Sequence, residues 1–149
     1  MAIQKSSTKT ALDLGNFESV VDEKLNSIFQ RLTKNQTIID KSISYALSNP
    51  GKRIRPTLVF LVGDFLGIET SRLESIAGAI ELIHTYSLVH DDLPCMDDDD
   101  LRRGKPTLHK KFNESTAVLA GDALQTLAFN LILDDINLNI SEKHDLLSD

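Results

Sequence analysis

The sequence contains a single cysteine, no excess of basic charge and no long apolar run. Cys95 alone excludes an intrachain disulfide framework and a cysteine-based zinc cluster, and it fits a reducing compartment. The net charge of -6 excludes a general basic surface for nucleic acid. The longest clearly apolar run, 58–62, is far shorter than the ~20 residues that span a bilayer, and the polar N-terminus lacks the apolar core of a secretory signal. We therefore expect a cytoplasmic protein without a membrane span.

Strand-like alternation, internal repeats and low-complexity linkers are also lacking, and apolar residues instead recur at three- and four-residue steps. This pattern predicts an all-α fold with helices at about 17–32, 36–47, 53–66, 71–92 and 115–133, and a last one from about 141. The third segment is apolar on most sides, so we expect it to be central. Ser71 and Glu74 predict a capping box at the start of the fourth. Residues 1–15 are expected to be disordered and 16–149 to form one helical unit.

A basic cluster, Gly51-Lys52-Arg53-Ile54-Arg55-Pro56, stands where the third helix is predicted to begin. A helix start offers free backbone N–H groups and the positive end of the helix dipole. Lys52 and Arg55 are three residues apart and would share a helix face. The cluster is a candidate phosphate site, although a solvated basic helix start has the same composition.

An acidic cluster follows the fourth predicted helix: six of the ten residues 91–100 are aspartate, and Arg102 and Arg103 come directly after them. Crowded carboxylates repel one another, and divalent cations relieve that repulsion. Their hard oxygen ligands favour Mg²⁺, which commonly bridges to substrate phosphates, while arginines bind phosphate oxygens bidentately. The alternative is an exposed acidic loop.

The spacing of Asp91 and Asp97 requires a break in the helix between them if both are to bind one metal ion. Asp91 and Asp97 are six residues apart and would face different directions on a regular helix. Pro94 must therefore open the helix before both can reach one metal ion. His84 precedes Asp91 by seven residues and would lie on the same helix face. It is a candidate phosphate donor, although a lone histidine is more often a structural hydrogen-bonding residue.

These motifs together resemble the trans-isoprenyl diphosphate synthases, most closely their bacterial-type farnesyl diphosphate synthases (geranyltranstransferases). The stretch IHTYSLVHDDLPCMDDDDLRRGKPT is similar to the first aspartate-rich motif of that family, GKRIRP to its upstream diphosphate motif, and AVLAGDALQTLAF to the helix that follows. The resemblance covers residues 17–149. It implies the N-terminal half of an antiparallel isoprenoid-synthase helical bundle, and a homodimer for the full-length protein.

The resemblance also assigns roles to individual residues. Asp91 and Asp97, supported by Asp92, match the Mg²⁺ ligands at the allylic diphosphate, and Arg102 matches the arginine that contacts this diphosphate. The residues that match the isopentenyl diphosphate pocket are Lys52, Arg55, His84 and Arg103. The implied reaction joins isopentenyl diphosphate to an allylic diphosphate, dimethylallyl or geranyl, by ionisation, condensation and loss of a proton.

Product length is implied by Tyr86 and Ser87, five and four residues before Asp91. A bulky residue at the position of Tyr86 closes the pocket near C15 in the resembling enzymes, which favours farnesyl diphosphate. Plant-type geranylgeranyl synthases share the LPCM insert and usually carry a smaller residue there. Tyr86 as an ordinary core residue fits the same pattern.

Two features depart from the family. Pro50-Gly51 replaces the usual Gly-Gly before the lysine, which alters the phosphate loop. The second aspartate-rich motif of the family has no counterpart before Asp149. The favoured interpretation is a fragment of a longer synthase that is inactive alone, with exposed apolar helix faces. The alternatives are a non-catalytic module that binds diphosphate or a partner, and a geranylgeranyl diphosphate synthase.

Overall fold

The computed structural model describes residues 14–32, 35–49 and 51–148. These residues form an all-α fold, as predicted. The helices are α1 (Leu14–Leu32), α2 (Ile38–Leu47), α3 (Ile54–Phe65), α4 (Glu74–Asp91), α5 (Leu108–Lys111), α6 (Glu114–Leu133) and α7 (Ile140–Ser148). α1 begins at Leu14, two residues before the predicted start of the helical unit at residue 16. Residues 1–13, which make up most of the segment predicted to be disordered, lie outside the described residues.

A small antiparallel hairpin interrupts the helices and was not predicted. Strand β1 (Leu101–Arg102) pairs with β2 (Lys105–Pro106), with Leu101 opposite Pro106 and Arg102 opposite Lys105. Strands of two residues leave no room for a period-2 pattern in the sequence. The hairpin places the Arg102-Arg103 pair beside the end of α4.

The centre of the bundle is formed by α4 and α6, which pack along their length. The buried apolar residues of these two helices are small or branched, and they include Ala77, Leu82, Val89, Ala117, Ala120, Leu124 and Ala128. Small residues let the two helices approach closely. Gly121 shows how closely, since a Cβ at this position would overlap the His90 ring. α1, α2 and α3 cover the remaining sides of α4 and α6, with Leu25, Ile43 and Phe60 in the core.

Two predictions about local structure are wrong. α3 is not central: only one side of it, with Phe60 and Gly63, is buried. Its opposite side is an exposed row of apolar residues, Ile54, Leu58, Val62 and Phe65, which we call the α3 apolar stripe, and Phe65 is 84% exposed. Apolar residues on a helix can pack in the core or contact a partner, and amino-acid composition does not distinguish these two roles.

The predicted capping box at Ser71 and Glu74 is also wrong. Thr70–Arg72 form a single 3-10 turn, and α4 starts after Leu73 without a side-chain cap. A capping box does occur at the start of α2, where Thr37 and Asp40 exchange hydrogen bonds between side chain and backbone. Asn113 caps α6 by accepting from the backbone N–H of Thr116.

α6 is long and apolar enough to cross a membrane by length and composition, and it is the one such helix among the described residues. Core helices of soluble proteins pass the same test. In this chain one face of α6 is packed against α4. The predicted lack of a membrane span remains a prediction.

Candidate active site

The acidic cluster forms a tight turn directly after α4. α4 ends at Asp91, and the chain then folds back so that the backbone N–H of Asp97 donates to the carbonyl of Asp91 at 2.8 Å. The N–H groups of Met96 and Asp98 both donate to the carbonyl of Leu93. Because the helix stops here, Asp91 and Asp97 become neighbours although they are six residues apart. We call residues 92–100 the acidic turn.

Asp92 differs from its neighbours because its carboxylate is buried and already paired. It is 3% exposed, and its two oxygens accept from Nε of Arg102 at 2.8 and 2.9 Å. This hydrogen bond is the main reason that the pKa of Arg102 lies above its usual value, and the nearby charges of Asp99 and Asp91 act in the same direction. Asp92 was predicted to support the metal ligands; in this structure it anchors Arg102.

Asp91 and the acidic turn offer carboxylate oxygens, which are hard ligands of the kind that Mg²⁺ takes in proteins. Among the described residues no three His, Cys, Asp or Glu side chains are gathered closely enough to hold a metal ion. Mg²⁺ usually keeps several waters and takes one or two carboxylates together with substrate phosphates. Asp91 and Asp97 can supply those carboxylates, while phosphate oxygens complete such a shell.

A basic pocket lies beside the acidic turn. We give this name to the cavity of about 610 Å³ that is lined by Lys52, Arg55, His84 and Arg103, and also by Arg53 and Glu81. All four predicted residues of the isopentenyl diphosphate site thus share one cavity. Lys52 precedes the first residue of α3, so it shares the pocket with Arg55 through the loop and not through a common helix face.

His84 is a weak base within this pocket. Its Nε2 lies 3.3 Å from Nη1 of Arg55. Partial burial lowers the pKa of His84, the Arg55 charge lowers it further, and Arg103 and Arg102 add smaller effects against the opposing charge of Glu81. The ring is therefore neutral near pH 7 and can donate one N–H to an anion.

Arg53 has a structural part in the site that the sequence did not reveal. It is 6% exposed and adopts a left-handed backbone, φ 48°, immediately before α3. Its guanidinium donates to Glu81 on α4 at 2.6 Å and to Asp22 on α1 at 2.7 Å. These partners are 28 and 31 residues away, so no local motif marks them. Arg53 fixes the loop that carries Lys52.

Arg103 reaches the pocket through a gap left by a glycine. Its Nη1 donates to the carbonyl of Asn49 at 2.7 Å, and a Cβ on Gly51 would overlap the guanidinium. The side chain of Asn49 in turn donates to the carbonyl of Arg102 at 3.1 Å. Pro50, which was predicted to alter this loop, lies outside the described residues.

The predicted chain-length residues, Tyr86 and Ser87, lie on α4 five and four residues before Asp91. Tyr86 is half-buried, and its ring meets that of His90 edge to face with centroids 5.7 Å apart. Ser87 donates from its hydroxyl to the carbonyl of His84 at 2.9 Å. His90, to which the sequence assigned no role, lies 3.1 Å from the carbonyl of Val118 through Nε2 and links α4 to α6.

Known proteins are similar to this chain in sequence. Residues 36–148 match the family model described as polyprenyl synthetase. The chain is 44% identical to the farnesyl diphosphate synthase of Haemophilus influenzae, over 88% of this chain and 44% of that protein. It is 47% identical to a chloroplastic geranylgeranyl pyrophosphate synthase of Arabidopsis thaliana, over 76% of this chain and 33% of that protein.

A solved structure is also similar to this chain in fold and sequence. The geranyltransferase of Legionella pneumophila superposes with a TM-score of 0.82 at 42% identity, over 87% of this chain and 46% of that one. The chain thus spans less than half the length of these relatives. The family match covers more than half of the chain itself, and the chain therefore belongs to the polyprenyl synthetase family.

Proposed function

We propose that the chain forms the diphosphate- and Mg²⁺-binding part of a trans-prenyltransferase that condenses isopentenyl diphosphate with dimethylallyl or geranyl diphosphate to give farnesyl diphosphate. The observation that carries the proposal is the placement of two adjacent arginines. Arg102 is anchored in the acidic turn by Asp92, whereas Arg103 lines the basic pocket. Two diphosphates bound at these sites would lie side by side.

The acidic turn is proposed to hold the allylic diphosphate. Asp91 and Asp97 would bind the Mg²⁺ ions, which supply charge neutralisation for the departing diphosphate. Arg102 has a fixed orientation because Asp92 holds one edge of its guanidinium, so its charge is in place before substrate arrives. Preorganised cations of this kind stabilise a leaving group as its negative charge develops.

The basic pocket is proposed to hold isopentenyl diphosphate. Lys52, Arg55 and Arg103 supply positive charge, and neutral His84 supplies an N–H donor. Arg53 holds the loop that carries Lys52 through its pair with Glu81. The pocket then serves as a fixed anchor, so that the double bond of the second substrate meets the allylic carbon in a defined orientation.

The product is proposed to be C15, with Tyr86 limiting the cavity and Ser87 beside it. A C20 product is the second candidate, because the chain is as similar to a geranylgeranyl pyrophosphate synthase as to farnesyl diphosphate synthases. Chromatography of the products of the complete gene product distinguishes them. A dominant C15 alcohol after phosphatase treatment supports farnesyl diphosphate, and a dominant C20 alcohol contradicts it.

The main test compares the 149-residue chain with the complete gene product. Each is supplied with isopentenyl diphosphate, geranyl diphosphate and Mg²⁺, and product is measured by radiolabel transfer. Turnover by the complete protein and negligible turnover by the 149 residues support the proposal. A complete gene product that binds diphosphate without turnover supports the non-catalytic module instead.

We also propose that the protein forms a homodimer with α6 in its contact, and that it is cytoplasmic. Sedimentation tests the homodimer, and cell fractionation tests the localisation.

A further inference from the structure

A buried threonine and histidine lie beneath the acidic turn, outside both proposed diphosphate sites. Thr107 is 2% and His109 7% exposed. The Thr107 hydroxyl donates to the carbonyl of Asp99 at 2.7 Å, and its backbone N–H donates to the carbonyl of Asp100 at 3.0 Å. Thr107 therefore holds the last part of the acidic turn from below by two hydrogen bonds.

His109 completes this arrangement from the other side of Thr107. Its Nδ1 lies 3.2 Å from the Thr107 hydroxyl oxygen. The single hydroxyl proton is directed at the Asp99 carbonyl, so the Nδ1–H of His109 must be the donor in this contact. The order of donors is thus His109 to Thr107 to Asp99, which fixes the hydroxyl in the orientation that holds the turn.

The other ring nitrogen of His109, Nε2, makes no hydrogen bond to the described residues. Nε2 is buried, and the nearest carboxylate oxygen, Oδ1 of Asp98, is 3.9 Å away. A buried polar atom without a partner costs about 1–3 kcal/mol. An apolar side chain would fill this space without that cost. A residue that breaks a packing rule in this way is typical of a functional position.

We infer that His109 is a positioning residue of the acidic turn, acting through Thr107 on the backbone of Asp99 so that Asp97 stays beside Asp91. The inference rests on the proposed function of the turn as a Mg²⁺–diphosphate site. His109 itself is buried and acts through its contact with Thr107. Its loss would leave Asp91 and Asp97 in the chain but release the segment that aligns Asp97.

Matched variants separate this role from packing. Thr107→Ser keeps the hydroxyl, whereas Thr107→Val has a similar shape without it. His109→Asn keeps a donor at the position of Nδ1, whereas His109→Gln places its amide at the position of Nε2. Calorimetry measures binding of inorganic pyrophosphate to the chain over a range of Mg²⁺ concentrations, and again with EDTA, where the basic pocket alone binds.

We expect Thr107→Val and His109→Gln to raise the Mg²⁺ concentration at half-saturation about tenfold, with binding in EDTA within twofold of wild type. Thr107→Ser and His109→Asn should stay within twofold in both conditions. In the complete gene product, the KM for the allylic diphosphate should rise while that for isopentenyl diphosphate stays constant.

Four outcomes would overturn the inference. An unchanged Mg²⁺ concentration at half-saturation in Thr107→Val and His109→Gln would be sufficient to overturn it. Equal losses with Mg²⁺ and with EDTA, or failure of both variants to fold, would assign the pair to general stability. Wild-type protein that binds no pyrophosphate with Mg²⁺ would overturn the proposed function, and this inference with it.

Discussion

The backbone N–H of Asp97 donates to the carbonyl of Asp91 at 2.8 Å. This hydrogen bond brings the backbones of two residues that are six positions apart in the sequence into direct contact. It depends on the end of α4 at Asp91 and on Pro94, which cannot continue a helix. Asp91 and Asp97, which a continuous helix would place on different sides, therefore have their backbones within hydrogen-bonding distance.

Removing the Asp97 carboxylate should abolish most Mg²⁺-dependent binding of pyrophosphate. Asp97→Asn keeps the size of the side chain and the backbone hydrogen bond but loses a charged ligand. A lost interaction with a charged group costs about 1.5–3 kcal/mol, or roughly 10- to 100-fold in affinity. Asp100→Asn is the control, since the Asp100 carboxylate pairs with Lys110 on the surface at 2.8 Å. Equal affinities of the two variants in calorimetry would contradict the assignment.

Asp92 should contribute more to folding than Asp99, although both pair with Arg102. Asp92 is buried and accepts hydrogen bonds from both Nε and Nη2 of Arg102, whereas Asp99 is exposed and lies 3.4 Å from Nη2. Asp92→Asn should lower the free energy of unfolding by about 1.5–3 kcal/mol, and Asp99→Asn by less than about 1 kcal/mol. Urea denaturation measures both. A larger loss for Asp99→Asn would contradict the structural role of Asp92.

The sequence predicted those parts of the molecule that depend on local pattern. The bounds of α6 were predicted within one residue because apolar periodicity and the change to polar residues mark both ends. The opening of the helix at Pro94 was predicted because proline has a fixed φ and lacks an N–H. Lys52, Arg55 and His84 were candidates from their residue types and spacing, and the resemblance assigned them to one pocket with Arg103. The structure places all four around one cavity.

Features that depend on distant partners could not be predicted. The pair of Arg53 with Glu81 and Asp22 joins three helices, and nothing near Arg53 identifies its partners. α3 was expected to be central because a mostly apolar helix fits a core and an outer position with an apolar face equally well. The orphaned Nε2 of His109 became visible only when its surroundings were known.

Gly51→Ala should weaken anion binding in the basic pocket. The added Cβ overlaps the Arg103 guanidinium, so Arg103 must leave its contact with the Asn49 carbonyl. We expect roughly a tenfold loss of pyrophosphate affinity in EDTA, the size of one hydrogen bond from a charged group. Gly67→Ala is the control: its φ of 71° makes alanine strained there, but no atom lies near the new Cβ. That variant should lose stability and keep its affinity; the reverse pattern would contradict the argument.

The α3 apolar stripe should make the 149-residue chain self-associate. Contiguous exposed apolar surface is typical of an interface or of aggregation, and Leu58 and Val62 are each more than half exposed in its middle. Val62→Glu should therefore shift the sedimentation profile toward monomer at concentrations where the wild type associates. Asn26→Glu adds the same charge on the exposed side of α1 and should leave association unchanged. Equal association of all three proteins would exclude the stripe as the contact.

The pKa of His84 should report the occupancy and the charge of the basic pocket. Burial and then Arg55 hold it below its ordinary value of 6.5. Because the folded state binds this proton less readily than the unfolded state, His84 contributes stability that is fully present above pH 6.5 and is lost as the pH falls through the folded pKa. Arg55→Met should raise the pKa in an NMR titration of the imidazole signals, Arg55→Lys should change it little, and bound pyrophosphate should raise it in the wild type. A pKa that does not move in Arg55→Met would show that burial alone sets it.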